Sequence, residues 1–503
     1  MTDIAAPRGG SPGLSIAVQP SRLGLQRGHW HWHWHGSTPA RVRGAALAAV
    51  VLAMAVATLT ASLFGEMHGE FGAIGQTDES EATATTSLYF YLTDMDGSGA
   101  DVLLVGSDAA LTTAGQTDNR HYTDVYASDR SNASMYLDQA VIAETGNAVA
   151  EQRLNAVAAR LGQYEALIAD AELLSQQAHD PAGKPSAAVS ADYNQATRLM
   201  QGDILPAVSN LTSSGESGLD ASYDAGKANA VSGVIWVVVF GVLLVAALVA
   251  LQVLLAVRFR RMVNPALALA TVLAIAFTAV TGTRFYAEYT HAHVARSDSF
   301  TSIQALSMAK AVSNDADADE SRFIVDPVHT AQYQQAYLDK SQQIVNVGTN
   351  VSYAQYLPLL NADIAAYQRN NSDIRFGGFL GQEFRNITFP GERQAAVSSL
   401  LAFRVYETDD PVLRALAKTN LTQAVGYDIG VTPNDSDGAF NAYAKALQSD
   451  ININSAAFTQ AVAAGQSDAD GGSLAVAALS ALVIVGLVYV GVRPRLAEYR
   501  ASR

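Results

Sequence analysis

The 503-residue sequence predicts an all-α membrane protein: four transmembrane helices and two extracytoplasmic antiparallel four-helix bundles, related by an internal duplication. Three observations predict it. Four long stretches carry no charge, arginine gathers on one side of them, and the polar segments between them repeat with a helical period. Nearly half the residues are apolar and only 16% are charged, so apolar surface must be hidden in more than one compact core.

A bilayer core about 30 Å thick takes roughly 20 apolar helical residues to cross. The charge-free stretches place spans at 44–65, 228–257, 262–283 and 471–492. Spans two and three are separated only by a hairpin, 258–261, of sequence RFRR. A leader of 43 residues and an apolar run of 22 exceed the usual signal-peptide pattern, so the first span is expected to stay uncleaved.

Orientation follows from the basic residues. The N-terminal tail 1–43, the hairpin and the C-terminal tail 493–503 together hold 12 basic and 2 acidic residues; the remainder holds 20 basic and 45 acidic, a net −25. Both tails and the hairpin are therefore expected in the cytoplasm of a multi-pass cell-membrane protein. The outer segments 66–227 and 284–470 then carry the acidic excess. There is no cysteine, which excludes disulfides, thiolate metal sites and a cysteine nucleophile. Only 6 of the 32 basic residues are lysine, a coding bias that points to a GC-rich actinobacterium.

The order span, outer segment, span occurs twice. Residues 92–106, LTDMDGSGADVLLVG, and 312–326, VSNDADADESRFIVD, stand 220 positions apart at the same distance beyond spans one and three. Both run from an acidic stretch into a short apolar one, as a repeat would. Leu154, Val157, Leu161, Tyr164 and Ile168 step by 3 and 4, the seam of a packed helix, and Tyr333, Tyr337, Ile344 and Val347 suggest the same in the second copy. Breaks are expected at Asp180–Pro185, around Gly215, at Gly377-Gly378 and at Pro390-Gly391, leaving helices of roughly 30–50 residues between them. Two antiparallel four-helix bundles whose outer helices continue into the spans satisfy this pattern. That is the architecture of bacterial extracytoplasmic sensor domains.

Four segments carry a closer resemblance: DADADESRFIVD (315–326), GGFLGQEFRNITFPGERQAA (377–396), ADYNQATRLMQGDILPAVSNL (191–211) and the hairpin RFRRMVNPALALAT (258–271). They resemble the GlnX-like family of four-span actinobacterial membrane proteins. The resemblance implies a relay between an extracytoplasmic glutamine/aspartate-binding lipoprotein and the cytoplasmic protein kinase G.

The expected cytoplasmic parts are too short to bury an enzyme-sized core, and no phosphate-binding loop or HExxH is present. The chain is read as no enzyme, without cofactor and without nucleic-acid partner. The tail run His29, His31, His33 and His35 alternates with three tryptophans, a pattern that can trap Zn²⁺, Cu²⁺ or Ni²⁺ but reads more simply as a juxtamembrane segment. Asp94–Gly99 opens like a calcium loop, yet the twelfth position is Val105 where a bidentate Glu belongs. Asp315, Asp317, Asp319 and Glu320 read as a solvated helix face, with Arg322 as the nearby cation and a contact to ligand or partner as the sharper reading. Asn386, Phe389, Pro390, Gly391 and Glu392 read most simply as a helix–helix connection with a buried Phe; the sharper reading is a turn at the end of the second bundle far from the membrane, its helix start able to receive an anion. Arg258, Arg260 and Arg261 are the expected cytoplasmic coupling residues.

These observations favour a non-enzymatic transmembrane signal relay. A solute, or a solute-binding protein, would be sensed outside and reported to a cytoplasmic partner such as a serine/threonine kinase, with the lipid bilayer and a second copy as further partners. The alternatives are a structural envelope scaffold and an accessory subunit of a transporter.

Overall fold

The apolar stretches and the seams both become helix. The structure, a computed structural model, describes residues 38–73, 79–106, 119–259, 264–468 and 471–501. Four helices are long and apolar enough to cross a membrane, within Pro39–Gly69, Ala187–Val257, Pro265–Val325 and Ala475–Ala497, and the chain is a multi-pass membrane protein. The first span lies in α1 (Thr38–Ala73). The first outer segment follows as α2 (Glu79–Val105), α3 (Asn119–Ala143), α4 (Ala148–Ala178), α5 (Ala187–Leu199) and a π-helical turn, Met200–Ile204. That turn leads into the 55-residue α6 (Leu205–Phe259), which holds the second span. The third span lies in α7 (Pro265–His293), which passes through a second π-helical turn, Val294–Phe300, into α8 (Thr301–Val325). The second outer segment continues through α9 (Thr330–Ile344), α10 (Tyr353–Arg369), α11 (Gly378–Asn386), α12 (Glu392–Thr419), α13 (Leu421–Asp428) and α14 (Ser436–Asp468). The fourth span lies in α15 (Gly471–Ala501).

The spans pack into one bundle. Ala49 and Ala53 of α1, Leu248 and Leu251 of α6, Leu267 and Ala270 of α7, and Ile484 and Val488 of α15 form its buried core. Leu47, Val242, Val272 and Leu482 point outward, as lipid-facing residues must. The polar Gln252 is satisfied within this bundle: its Nε2 donates to Leu267 O (3.0 Å) and Thr271 Oγ1 (2.8 Å). An amide without these acceptors would be costly at that depth.

In the first outer segment the expected seam is the core. Leu154, Val157, Leu161, Tyr164 and Ile168 are all buried, against Leu88, Leu92 and Met95 of α2 and Val189, Tyr193 and Ala196 of α5. Tyr333, Tyr337 and Ile344 are buried in the second segment, and Val347 is partly buried. Two expectations fail. No break occurs at Gly215, because a single glycine costs a helix only about 1 kcal/mol and α6 continues through it. The second segment also uses shorter pieces than expected, α9 and α10 having 15 and 17 residues. Gly378 shows why the chain turns there. Its φ is +73°, and a Cβ would sit 2.6 Å from Gln343 O. Among the described residues the one β-like pairing is the isolated bridge Asn346–Gly377.

The two outer segments are joined, and the joint supports duplication. Asn314 Nδ2 donates to Asp94 Oδ1 (3.1 Å), and Ser321 Oγ to Asp101 Oδ1 (2.9 Å), both across 220 residues. Between them Gly97 faces Ala318, whose Cβ would lie 3.7 Å from a Cβ added at the glycine. The pairs ascend together, so α2 and α8 run parallel and in register, repeat against repeat. Contacts seven residues apart on both helices are those of a parallel coiled-coil seam.

Candidate functional site

The seam between α2 and α8 is where ionisable side chains enter the core. Arg322, on the α8 face turned toward α2, is fully buried. Its Nη1 reaches Asp319 Oδ1 at 2.5 Å and Asp315 Oδ1 at 3.4 Å, and its Nη2 pairs with Asp96 of α2. Lys340, from α9, closes the other side, with Nζ 2.6 Å from Asp319 Oδ2 and 2.9 Å from Asp315 Oδ1. Gln201 sits in the first π-helical turn. It donates to Asp315 (2.6 Å) and Asp96 (3.2 Å), and Tyr164 donates to Asp96 at 2.9 Å. Three carboxylates, two cations and two neutral donors from five elements thus make one connected network. Within it Arg322 Nε alone among the guanidinium nitrogens is buried without a hydrogen-bond partner, and each further partner lost would cost the network more.

Its electrostatics follow from that geometry. Burial alone would raise Asp315, but Lys340 and Arg322 together hold it below the usual carboxylate range. For Asp96, burial outweighs the attraction of Arg322 and its pKa rises. Burial opposes the charge on Arg322, yet Asp96 and Asp319 more than restore it.

Around this network lie acids with fewer cations. Burial, then the charge of Asp129, raises Asp94. Asp428 is raised by burial and by Asp101, and its carboxyl lies 2.9 Å from Ser321 Oγ, whose single proton is given to Asp101. Arg414 answers Asp410 at 2.6 Å on the far side and stacks 4.4 Å over Phe323. The joint between the segments is therefore an acid-rich interior held by a few placed cations. Sequence reasoning singled out Asp315, Asp319 and Arg322, and the structure brings all three together. Their expected place on a solvated face is wrong: each is at most 4% exposed, because α8 is wrapped by α2, α9, α11 and α14. Asp96, Lys340, Gln201 and Tyr164 were missed as partners. The Asp94–Gly99 stretch is helical, and its acids serve this joint.

The turn after α11 is placed differently from expectation. Asn386 Nδ2 donates to Ser297 O (3.0 Å), Asp298 O (2.8 Å) and Ser302 Oγ (2.9 Å), so the turn lies against the π-helical turn that follows the third span, not at the distal end. Glu392 Oε2 accepts from Thr388 N (2.5 Å) and Phe389 N (2.7 Å), amides that precede the helix, while at the helix start Gln394 N and Ala395 N donate to Gly391 O. Phe389 is half-buried, Pro390 and Gly391 are exposed, and Gly391 takes φ +90° to start α12. Beneath the turn Glu383, Glu392 and Asp450 are fully buried, and neither oxygen of Glu383 or Asp450 has a hydrogen-bond partner. Burial, then Asp450, pushes Glu383 up to about 8; burial, then Glu392, pushes Asp450 up to about 7.

Among the described residues no group of three or more His, Cys, Asp or Glu is arranged to hold a metal ion. His29, His31, His33 and His35 lie outside the described residues, as do Arg260 and Arg261. Arg258 stands in the last turn of α6.

Comparison with known proteins adds one match. Residues 70–224 match a family described as Actinobacterial sensor domain, spanning the end of α1, all of α2–α5 and the first part of α6. No curated protein and no solved structure matches the chain. The protein is thus membrane-embedded and contains a sensor-domain-like region, and that region supplies the α2 side of the charged joint.

Proposed function

We propose that this protein is a non-enzymatic transmembrane signal relay. The observation that carries the reading is helical continuity. The 55 residues of α6 run without interruption from the sensor-like segment through the second span, and α7 passes through one π-helical turn into α8. A displacement of the outer helices is then transmitted to the spans, since packed helices shift by 1–2 Å without losing their packing. The network of Asp96, Asp315, Asp319, Arg322 and Lys340 couples the two outer segments, so neither moves alone. The acidic outer segments lie outside the cell as antiparallel four-helix bundles, and both tails and the hairpin lie inside. Arg258, Arg260 and Arg261 present the signal to a cytoplasmic partner. The turn from Asn386 to Glu392 reports on the second π-helical turn. The resemblance to the GlnX-like family supports a solute-binding lipoprotein outside and a protein kinase inside as the partners.

Crosslinking in cells, followed by capture from native membranes and mass spectrometry of partners on each face, tests this. Recovery of a solute-binding lipoprotein and a kinase is the expected result. Recovery of envelope-assembly proteins alone would replace the relay with a scaffold, and stable capture with a transport channel would make the chain an accessory subunit.

A further inference from the structure

The sensing reading leaves open where a solute would bind, and a cleft outside the charged joint answers it. It lies between α2, the start of α8 and the middle of α14, and has a volume of about 360 Å³. Small-molecule sites begin at about that size. One wall is aromatic: Phe300 and Phe458 lie 6.0 Å apart, and Tyr91 stacks on Tyr136 at 5.2 Å. The remaining lining mixes apolar Ala82, Phe90, Ile303 and Ile451 with hydroxyls and amides, with Lys310 as the single charged residue and no carboxylate.

Lys310 is held without an anion. Its Nζ touches Gln448 Oε1 at 3.2 Å and stands 4.4 Å above the Phe90 ring, and among the described residues it forms no ion pair. Burial lowers its pKa, which the more distant Asp94 only partly offsets. Asp94 itself is engaged by Asn314 and faces Asp129. A second donor lines the same cleft. Gln304 Nε2 is buried with no hydrogen-bond partner, Glu216 interacting with the side chain outside hydrogen-bond geometry. A half-desolvated ammonium and an amide N–H without a partner in hydrogen-bond geometry, beside aromatic faces, form a receptor for a planar anion. The ammonium takes the charge, the amide a second oxygen, and the rings the apolar body.

The geometry points to this cleft as the binding site for a small organic carboxylate with a flat apolar body, Lys310 and Gln304 receiving the carboxylate. The assignment rests on the sensing reading and deepens it. The cleft is walled by Phe300, the last residue of the π-helical turn after the third span, and by α14, which leads toward the fourth. An occupant that draws these walls together pulls on both spans of the second repeat.

The test uses the full chain in nanodiscs, with 4-fluorobenzoate as the probe followed by ¹⁹F line broadening. Neutral 4-fluorobenzamide and cationic 4-fluorobenzylamine serve as controls. The expected result is saturable binding of the carboxylate, at least tenfold weaker binding of the amide, and none of the amine. Lys310→Met should lose at least tenfold in affinity, Gln304→Leu less, and Lys310→Arg should retain binding. Circular dichroism and gel filtration confirm that each variant is folded. Equal binding of carboxylate and amide, unchanged binding to folded Lys310→Met, or no carboxylate binding at millimolar probe overturns the assignment. Partner capture is read separately, so a cleft that binds without recruiting partners sinks the relay and leaves the site. Recruitment without cleft binding does the reverse.

Discussion

α2 and α8 occupy equivalent places in the two repeats, yet their facing side chains are not equivalent. Where α2 presents Asp94 and Asp101, α8 presents Asn314 and Ser321, each a neutral donor 220 positions on. Where α2 presents the acid Asp96, α8 answers with Arg322. Two identical copies of α2 would set carboxylate against carboxylate in a parallel, buried seam. The difference teaches how two helices with the same acid-to-apolar pattern can pack on each other. At these facing positions α2 keeps the acids and α8 supplies two donors and a cation, so a repulsive self-contact becomes a specific pair.

The comparison can be broken in graded ways. Arg322→Met should have the largest effect. It leaves Asp96, Asp315 and Asp319 buried around Lys340 alone, and breaking such a site on one side typically costs about 3–5 kcal/mol. Denaturant unfolding of the full chain in detergent reads the loss, and adding Asp96→Asn should recover part of it.

Restoring symmetry is the next test. The double substitution Asn314→Asp and Ser321→Asp makes α8 match α2 at both contacts. It should destabilise by about 2–4 kcal/mol through lost hydrogen bonds and facing charges. The loss should shrink in acid, where the new carboxyls are protonated. An unchanged unfolding midpoint at pH 8 would mean that donor against acid is not what holds the seam.

A pH titration compares the charged joint with the cluster beneath Asn386. The unfolded values of Glu383 and Asp450 are near 4, and burial raises them to about 8 and about 7 in the fold. The folded state therefore binds more protons across that interval, and these two groups remove stability as pH rises from about 4 to 8. Glu383→Gln should flatten the fall in melting temperature between pH 5 and 8. Asp315, held low by Lys340 and Arg322, has the opposite sign: it contributes stability above the ordinary carboxylate pKa and loses it in acid. An Asp315→Asn variant whose acid-side slope matches the parent would contradict that assignment.

The smallest effect belongs to an exposed pair. Arg160 and Asp203 meet on the first segment with side chains 42% and 48% exposed. Arg160→Ala should change stability by under about 1 kcal/mol, because solvent screens such pairs. A loss comparable to that of Arg322→Met would mean that burial is not what separates the two sites.

Much of the fold was legible in the sequence. Apolar runs free of charge become four long helices, and the steps from Leu154 to Ile168 become a buried seam, because both signals are local and periodic. The offset of 220 was visible in the acid-to-apolar stretches of 92–106 and 312–326, and the seam pairs that very offset. The site was legible in part. Asp315, Asp319 and Arg322 stood out as an acidic run with one cation, but the run carries no sign of whether it faces water. Lys340, Gln201 and Tyr164 could not be chosen from many equivalent residues, since each joins the network from a different helix.

By itself, the sequence determined that this chain is helical and membrane-embedded, with a pattern suggestive of duplication, since hydrophobic length and period act on each segment separately. Only the tertiary structure decided that its acids turn inward, that the repeats meet in parallel through α2 and α8, and that Lys310 lines a cleft without a carboxylate. The physical reason is range. Apolar period is written in neighbours three and four residues apart, while a buried charge is settled by whichever distant helix brings its partner.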